Sequence, residues 1–106
     1  MAGRGKQPPA DPTWELLIEP EASRDLNAFH GPILQDALDT IETLMQNPEL
    51  GDPMRRYNNM YRVYFGDDRY RIVYRLNRKK RLIHIVRVRG RGTAYKGLKN
   101  PSARFP

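Results

Sequence analysis

An α+β fold is predicted: a short N-terminal strand, then a helical hairpin packed on a mainly antiparallel sheet of about four strands. Two changes along the chain and its length point to it. Hydrophobic spacing is helical between Pro20 and Met45 and becomes alternating from Tyr57 onward. The charge reverses near the same place. Residues 14–53 hold nine acids against Arg24 alone, for −8, whereas residues 54–106 hold sixteen Lys and Arg against Asp67 and Asp68, for +14. With 106 residues and a net charge of +7, the chain has room for one hydrophobic core. It has no cysteine, which excludes disulfide frameworks, thiol nucleophiles and Cys-based zinc sites.

Met1 to Thr13 is rich in Gly, Pro and charge, and reads as a disordered basic leader without an apolar signal segment. Trp14-Glu-Leu-Leu-Ile18 is a brief strand, and Pro20 suits the first turn of the helix that follows. Ala22, Leu26 and Phe29 repeat at helical spacing until His30-Gly31-Pro32 stops one helix and starts the next. In the second helix Ile33, Leu34, Ala37, Leu38, Ile41, Leu44 and Met45 form an apolar stripe with an acidic face outside it. Asn47-Pro48 and Gly51-Asp52-Pro53 end it.

Beyond Tyr57, Tyr61, Val63 and Phe65 alternate with Arg62 and Tyr64, and Gly66-Asp67-Asp68 supplies turn chemistry. If Asp67 and Asp68 are the two loop residues, Tyr64 lies opposite Arg71 and Arg62 opposite Val73. Tyr61, Val63, Phe65, Tyr70, Ile72, Tyr74 and Leu76 then face the helices, while Arg62, Tyr64, Arg69, Arg71 and Arg75 face away. The third strand, Leu82 to Arg89, is apolar at almost every position, as a strand central in its sheet would be. A five-residue loop, Asn77 to Arg81, adds Arg87 and Arg89 to the arginine face and turns His84 inward. A four-residue loop would drive Arg87 toward the core, and burying an unpaired guanidinium costs several kcal/mol, so the five-residue loop is expected. Thr93 to Lys99 suits a short strand or one helical turn.

Arginines on an open sheet can clamp phosphates through planar, multidentate donors, and interleaved tyrosines can stack on unpaired bases. Nucleic acid is therefore the expected partner. Tyr64 and Tyr95 are the tyrosines open to contact or catalysis; Tyr57 and Tyr61 are further stacking candidates, although Tyr61, Tyr70 and Tyr74 fall on the core face. No metal site or cofactor is expected, since His30 and His84 sit on different elements and no His-Glu-x-x-His occurs. No apolar run approaches the roughly 20 residues that span a bilayer, so a cytoplasmic protein without membrane contact is expected.

Tyr70-Arg-Ile-Val-Tyr74, then a hydrophobic strand ending in Arg87-Val-Arg-Gly-Arg91 and a tyrosine at 95, resembles the RelE/ParE toxin superfamily of type II toxin-antitoxin systems. The resemblance spans 14–99 as one toxin domain, leaving 100–106 as a tail, and implies a RelE-like fold. It implies one of two activities: ribosome-dependent mRNA cleavage, as in RelE-like members, or inhibition of DNA gyrase without nuclease activity, as in ParE-like ones. A plain RNA-binding module is the remaining alternative. Under the first, Arg71 would hold the scissile phosphate, Arg89 and Arg91 would stabilise developing charge, and Tyr95, or Tyr64, would orient the RNA or assist proton transfer. Arg62, Arg69, Arg87 and Lys96 would bind RNA. Two lysines of the RelE pattern are replaced here by Arg62 and Tyr64, and arginine is a poor general base. Either activity implies a cognate antitoxin that covers the basic surface.

Overall fold

The computed structural model describes residues 14–90. The leader 1–13, and the segment 91–106 with Arg91, Tyr95 and Lys96, lie outside the described residues. Strand β1 (Glu15–Ile18) leads into helices α1 (Pro20–Asn27) and α2 (Gly31–Gln46), followed by β2 (Asp52–Pro53), β3 (Met60–Phe65), β4 (Tyr70–Asn77) and β5 (Leu82–Gly90). The strands form one sheet in the order β1-β5-β4-β3-β2. β1 runs parallel to β5, and the other pairs are antiparallel. Five strands rather than about four result because Gly51-Asp52-Pro53, expected only to stop a helix, continues into a two-residue edge strand on β3. No helix among the described residues is long and apolar enough to cross a membrane.

The apolar spacing of the helices explains the main core. Ala22 and Leu26 of α1 and Ala37, Ile41 and Leu44 of α2 pack on Phe65, Ile72, Tyr74, Leu76, Ile83, Ile85 and Val88 of the sheet. Leu38, expected on the stripe, is instead 42% exposed at its margin. The β3–β4 turn has the expected register, with Tyr64 opposite Arg71 and Arg62 opposite Val73. Asp67 and Asp68 take φ of 56° and 65°, the two left-handed positions that a type I′ hairpin demands. The Asp36 carboxylate of α2 accepts the Gly66 N–H at 2.8 Å and ties this turn to the helical layer.

The β4–β5 register corrects the expected one. Asn77 pairs with Leu82, so the loop has four residues, and His84 falls opposite Arg75 rather than toward the helical core. A bulge then intervenes: Tyr74 pairs with Ile85 but Val73 with Arg87, leaving Val86 as the extra residue. Past it, Arg71 meets Arg89. The shorter loop carries no penalty at Arg87 because that guanidinium is paired, contrary to the premise behind the longer loop. The second face of the sheet also has its own small apolar cluster, Met54, Met60, Val73 and Val86, with Tyr57 packed against it.

Candidate nucleic-acid interface

Alternation along β3 and β4 sends Val63, Phe65 and Ile72 to the helices and leaves Tyr64 and Arg71 on the opposite face. The bulge in β5 brings Arg89 into the same transverse row, giving Tyr64–Arg71–Arg89 across three adjacent strands. Neighbouring strands lie about 4.8 Å apart, so this row is a compact patch. Two like charges directly opposed in a sheet repel. Arg71 lies over the Tyr64 ring, its guanidinium carbon 4.7 Å from the centroid, and that cation–π contact offsets part of the repulsion. The Asp25 carboxylate, 3.9 Å from the Arg89 Nε, offsets more of it.

Arg87 has another role. Its Nε and Nη2 donate to Asp25 of α1 at 2.9 and 3.2 Å, and Glu21 lies 3.7 Å from Nη1. Both side chains of the Arg87–Asp25 pair are only 11% exposed. The hydrogen bond to Asp25 raises the Arg87 pKa further, so Arg87 stays charged. Arg87 is thus a structural cation joining β5 to α1 rather than an open RNA ligand. Arg89 is more exposed, at 38%, with its Nε 3.9 Å from Asp25.

Arg69 is exposed in the β3–β4 turn rather than within a strand. Arg62, one row along from Tyr64, lines a groove of about 480 Å³ with Pro53, Met54, Arg55, Arg56 and Tyr57. Arg55 and Arg56 were not singled out by sequence reasoning, although an Arg-Arg-Tyr triplet beside a basic strand is the signal that could have found them. Among the expected stacking residues, Tyr61 instead lies against Tyr74, ring centroids 5.5 Å apart. His84 is 13% exposed with its Nδ1 3.0 Å from Glu19, on the partnered rim of the sheet. Among the described residues no group of three or more His, Asp and Glu side chains is arranged to hold a metal ion.

The sequence matches the family model for the ParE toxin of type II toxin-antitoxin systems over residues 16–95. The chain belongs to the RelE/ParE toxin superfamily. No curated protein matches it significantly in sequence. Among solved structures, the RelBE2 toxin-antitoxin complex of Mycobacterium tuberculosis is 26% identical, covering 74% of this chain and 99% of that one, with a TM-score of 0.66. A double arginine-to-alanine variant of the E. coli toxin RelE in its free state shares the fold at 15% identity and a TM-score of 0.74, covering 89% and 99%. The chromosomal ParDE system of P. aeruginosa is similar at 20% identity and 0.59, covering 74% and 96%. The structures that share the fold of this type II toxin thus carry both names, and two of them were solved as toxin-antitoxin systems.

Proposed function

We propose that this toxin is a RelE-like, ribosome-dependent mRNA endoribonuclease that inhibits translation in the cytoplasm. The observation that carries the reading is the Tyr64–Arg71–Arg89 row, in which two arginines directly opposed on an open sheet face make a cradle for a phosphate. In this reading the 2′-oxygen of the RNA attacks the adjacent phosphorus, and the bond to the 5′-oxygen of the next nucleotide breaks. The products are a 2′,3′-cyclic phosphate and a 5′-hydroxyl. Arg71 holds the scissile phosphate, and Arg89 meets the charge that grows on its non-bridging oxygens, an electrostatic contribution that is larger in the transition state than in the ground state. Arg91, next along the chain, is assigned the same role on sequence grounds. Arginine stays protonated and cannot take the 2′-proton, so proton transfer falls to Tyr64, to Tyr95 or to groups of the ribosome. Arg62, with the groove it shares with Arg55, Arg56 and Tyr57, binds the flanking strand, together with Arg69 and Lys96.

The cognate partner is an antitoxin whose acidic or amphipathic segment covers this basic face; that a partner exists is supported by the M. tuberculosis neighbour, solved as a toxin-antitoxin complex, and by the archaeal one, solved as a RelE-RelB complex. A second reading, gyrase inhibition without RNA cleavage, is favoured by the ParE description of the matching family model and by the ParDE neighbour. The two separate on brief expression of the toxin. Our reading expects cleaved mRNA in translating cells and normal DNA supercoiling. Intact mRNA with blocked supercoiling would establish the second.

A further inference from the structure

Strand β1 ends opposite Ile85, whose carbonyl accepts the Glu19 N–H as the chain turns into α1. Beyond that point no strand flanks the outer edge of β5 among the described residues, and Asp25 of α1 takes the strand's place. The buried Ala22 and Leu26 fix α1 to the core, so this carboxylate is presented from a rigid element. Its Oδ2 accepts the Val88 N–H and the Arg87 Nε–H, both at 2.9 Å. Its Oδ1 accepts from the Arg87 Nη2 at 3.2 Å and lies 3.9 Å from the Nε of Arg89.

The fold requires the first three contacts but not the fourth. An edge N–H and a nearly buried guanidinium both need an acceptor. Arg89, 38% exposed, could be solvated by water and needs no carboxylate for folding. Arg87 already faces two carboxylates, Asp25 and Glu21, the latter at 3.7 Å, so it does not exhaust the charge of Asp25. The remainder acts on Arg89, which is the arginine opposed to Arg71 in the row. A guanidinium is planar, so a carboxylate beside its Nε restricts its rotation and leaves the two terminal nitrogens to meet a phosphate. A long side chain that is already ordered loses less rotamer freedom when it does so.

We propose that Asp25 is a positioning residue for the cleavage reaction: held by Arg87 and the Val88 N–H, it aims Arg89 at the scissile phosphate. The inference rests on the mRNA-cleaving reading. Asp25 touches no reacting atom and acts through Arg89 alone. Its negative charge opposes phosphate binding while the order it imposes favours the transition state, so its loss is felt in kcat and not as a rise in KM.

A double-mutant cycle between Asp25→Asn and Arg89→Ala tests this on ribosomes programmed with a defined mRNA, at a temperature well below the melting point of each variant. Asp25→Asn should lower kcat about 10-fold, with KM for the ribosomes unchanged or lower. In the Arg89→Ala background the same substitution should have no further effect on kcat. A purely structural Asp25 would lower kcat by the same factor in both backgrounds. That result, or an unchanged kcat in Asp25→Asn, would overturn the proposal while leaving the mRNA-cleaving reading intact. Should Asp25→Asn fail to fold, Asp25→Leu combined with Arg87→Met replaces the ion pair by apolar groups and carries the same cycle with the same expected outcomes. If wild type cleaves no mRNA on these ribosomes, the mRNA-cleaving reading fails and this inference falls with it.

Discussion

Tyr74 shows how a single side chain can close a core. Its ring is fully buried in the helix-facing core, while its hydroxyl donates to the Pro48 carbonyl at 2.7 Å and accepts from the Gly51 N–H at 2.9 Å. Burial, the leading cause, raises its pKa from 10.0 to about 12. The folded state therefore holds this proton more tightly than the unfolded chain does. The associated stability is present in full below pH 10 and is lost as pH rises from about 10 to about 12, on the order of 2 kcal/mol. Chemical denaturation across that range should show the fall, and Tyr74→Phe should flatten it while costing about 1–2 kcal/mol at neutral pH, since it removes the partner of two part-buried backbone groups. Gly51 is bound into the same contact. A methyl group there would meet the Arg62 carbonyl oxygen at 2.4 Å and the Tyr74 hydroxyl at 2.8 Å, so Gly51→Ala should destabilise by about 1–3 kcal/mol in the same assay. The alternation of Tyr70, Ile72 and Tyr74 made the burial of Tyr74 legible in the sequence. The partners of its hydroxyl were not, because Pro48 and Gly51 reach it through a loop whose path no periodicity encodes.

Strand β5 shows the same division at the scale of an element. Its nearly continuous apolar run identified it as an internal strand, and it lies between β1 and β4. Its register was not legible, because a four-residue loop and a bulge at Val86 are two opposite one-residue changes whose effects cancel at the far end. Arg89 consequently lies on the open face as expected, whereas Arg87 and His84 do not behave as expected. Asp25 completes this arrangement. β1 stops pairing at Ile85, and beyond that point the Asp25 carboxylate accepts the Val88 N–H at 2.9 Å as well as both Arg87 donors. Asp25→Ala should therefore cost about 2–4 kcal/mol by urea denaturation, because it removes the acceptor of two donors of a nearly buried guanidinium and of the Val88 N–H, leaving Glu21 at 3.7 Å as a weaker counter-charge. Arg87→Met combined with Asp25→Leu should recover much of that loss. If the two single substitutions are additive in the cycle, the pair is not coupled as described.

At the scale of the whole molecule, an acidic helical layer backs a basic sheet, a division visible in the charge count before any element is placed. That asymmetry, the internal position of β5 and the Tyr64–Arg71 register were readable because they depend on composition, local alternation and turn chemistry, whereas the full strand order was not. The Arg55-Arg56-Tyr57 rim of the groove was not, since it depends on how the loop before β3 folds back over the sheet. The proposed catalytic row is half-buried on the face away from the helical core, so Arg71→Ala should still fold, with little change in melting temperature, and lose about 100- to 1000-fold in mRNA cleavage rate. Loss of folding in that variant would show the row to be core instead. The most direct measurement of the central claim uses purified toxin with ribosomes programmed by a defined mRNA, compared with the same mRNA carrying 2′-deoxy sugars throughout the codon in the decoding site. The account predicts cleavage of the ribose mRNA to a 2′,3′-cyclic phosphate and a 5′-hydroxyl, with the deoxy codon left intact. No cleavage of either mRNA, or equal cleavage of both, would contradict it.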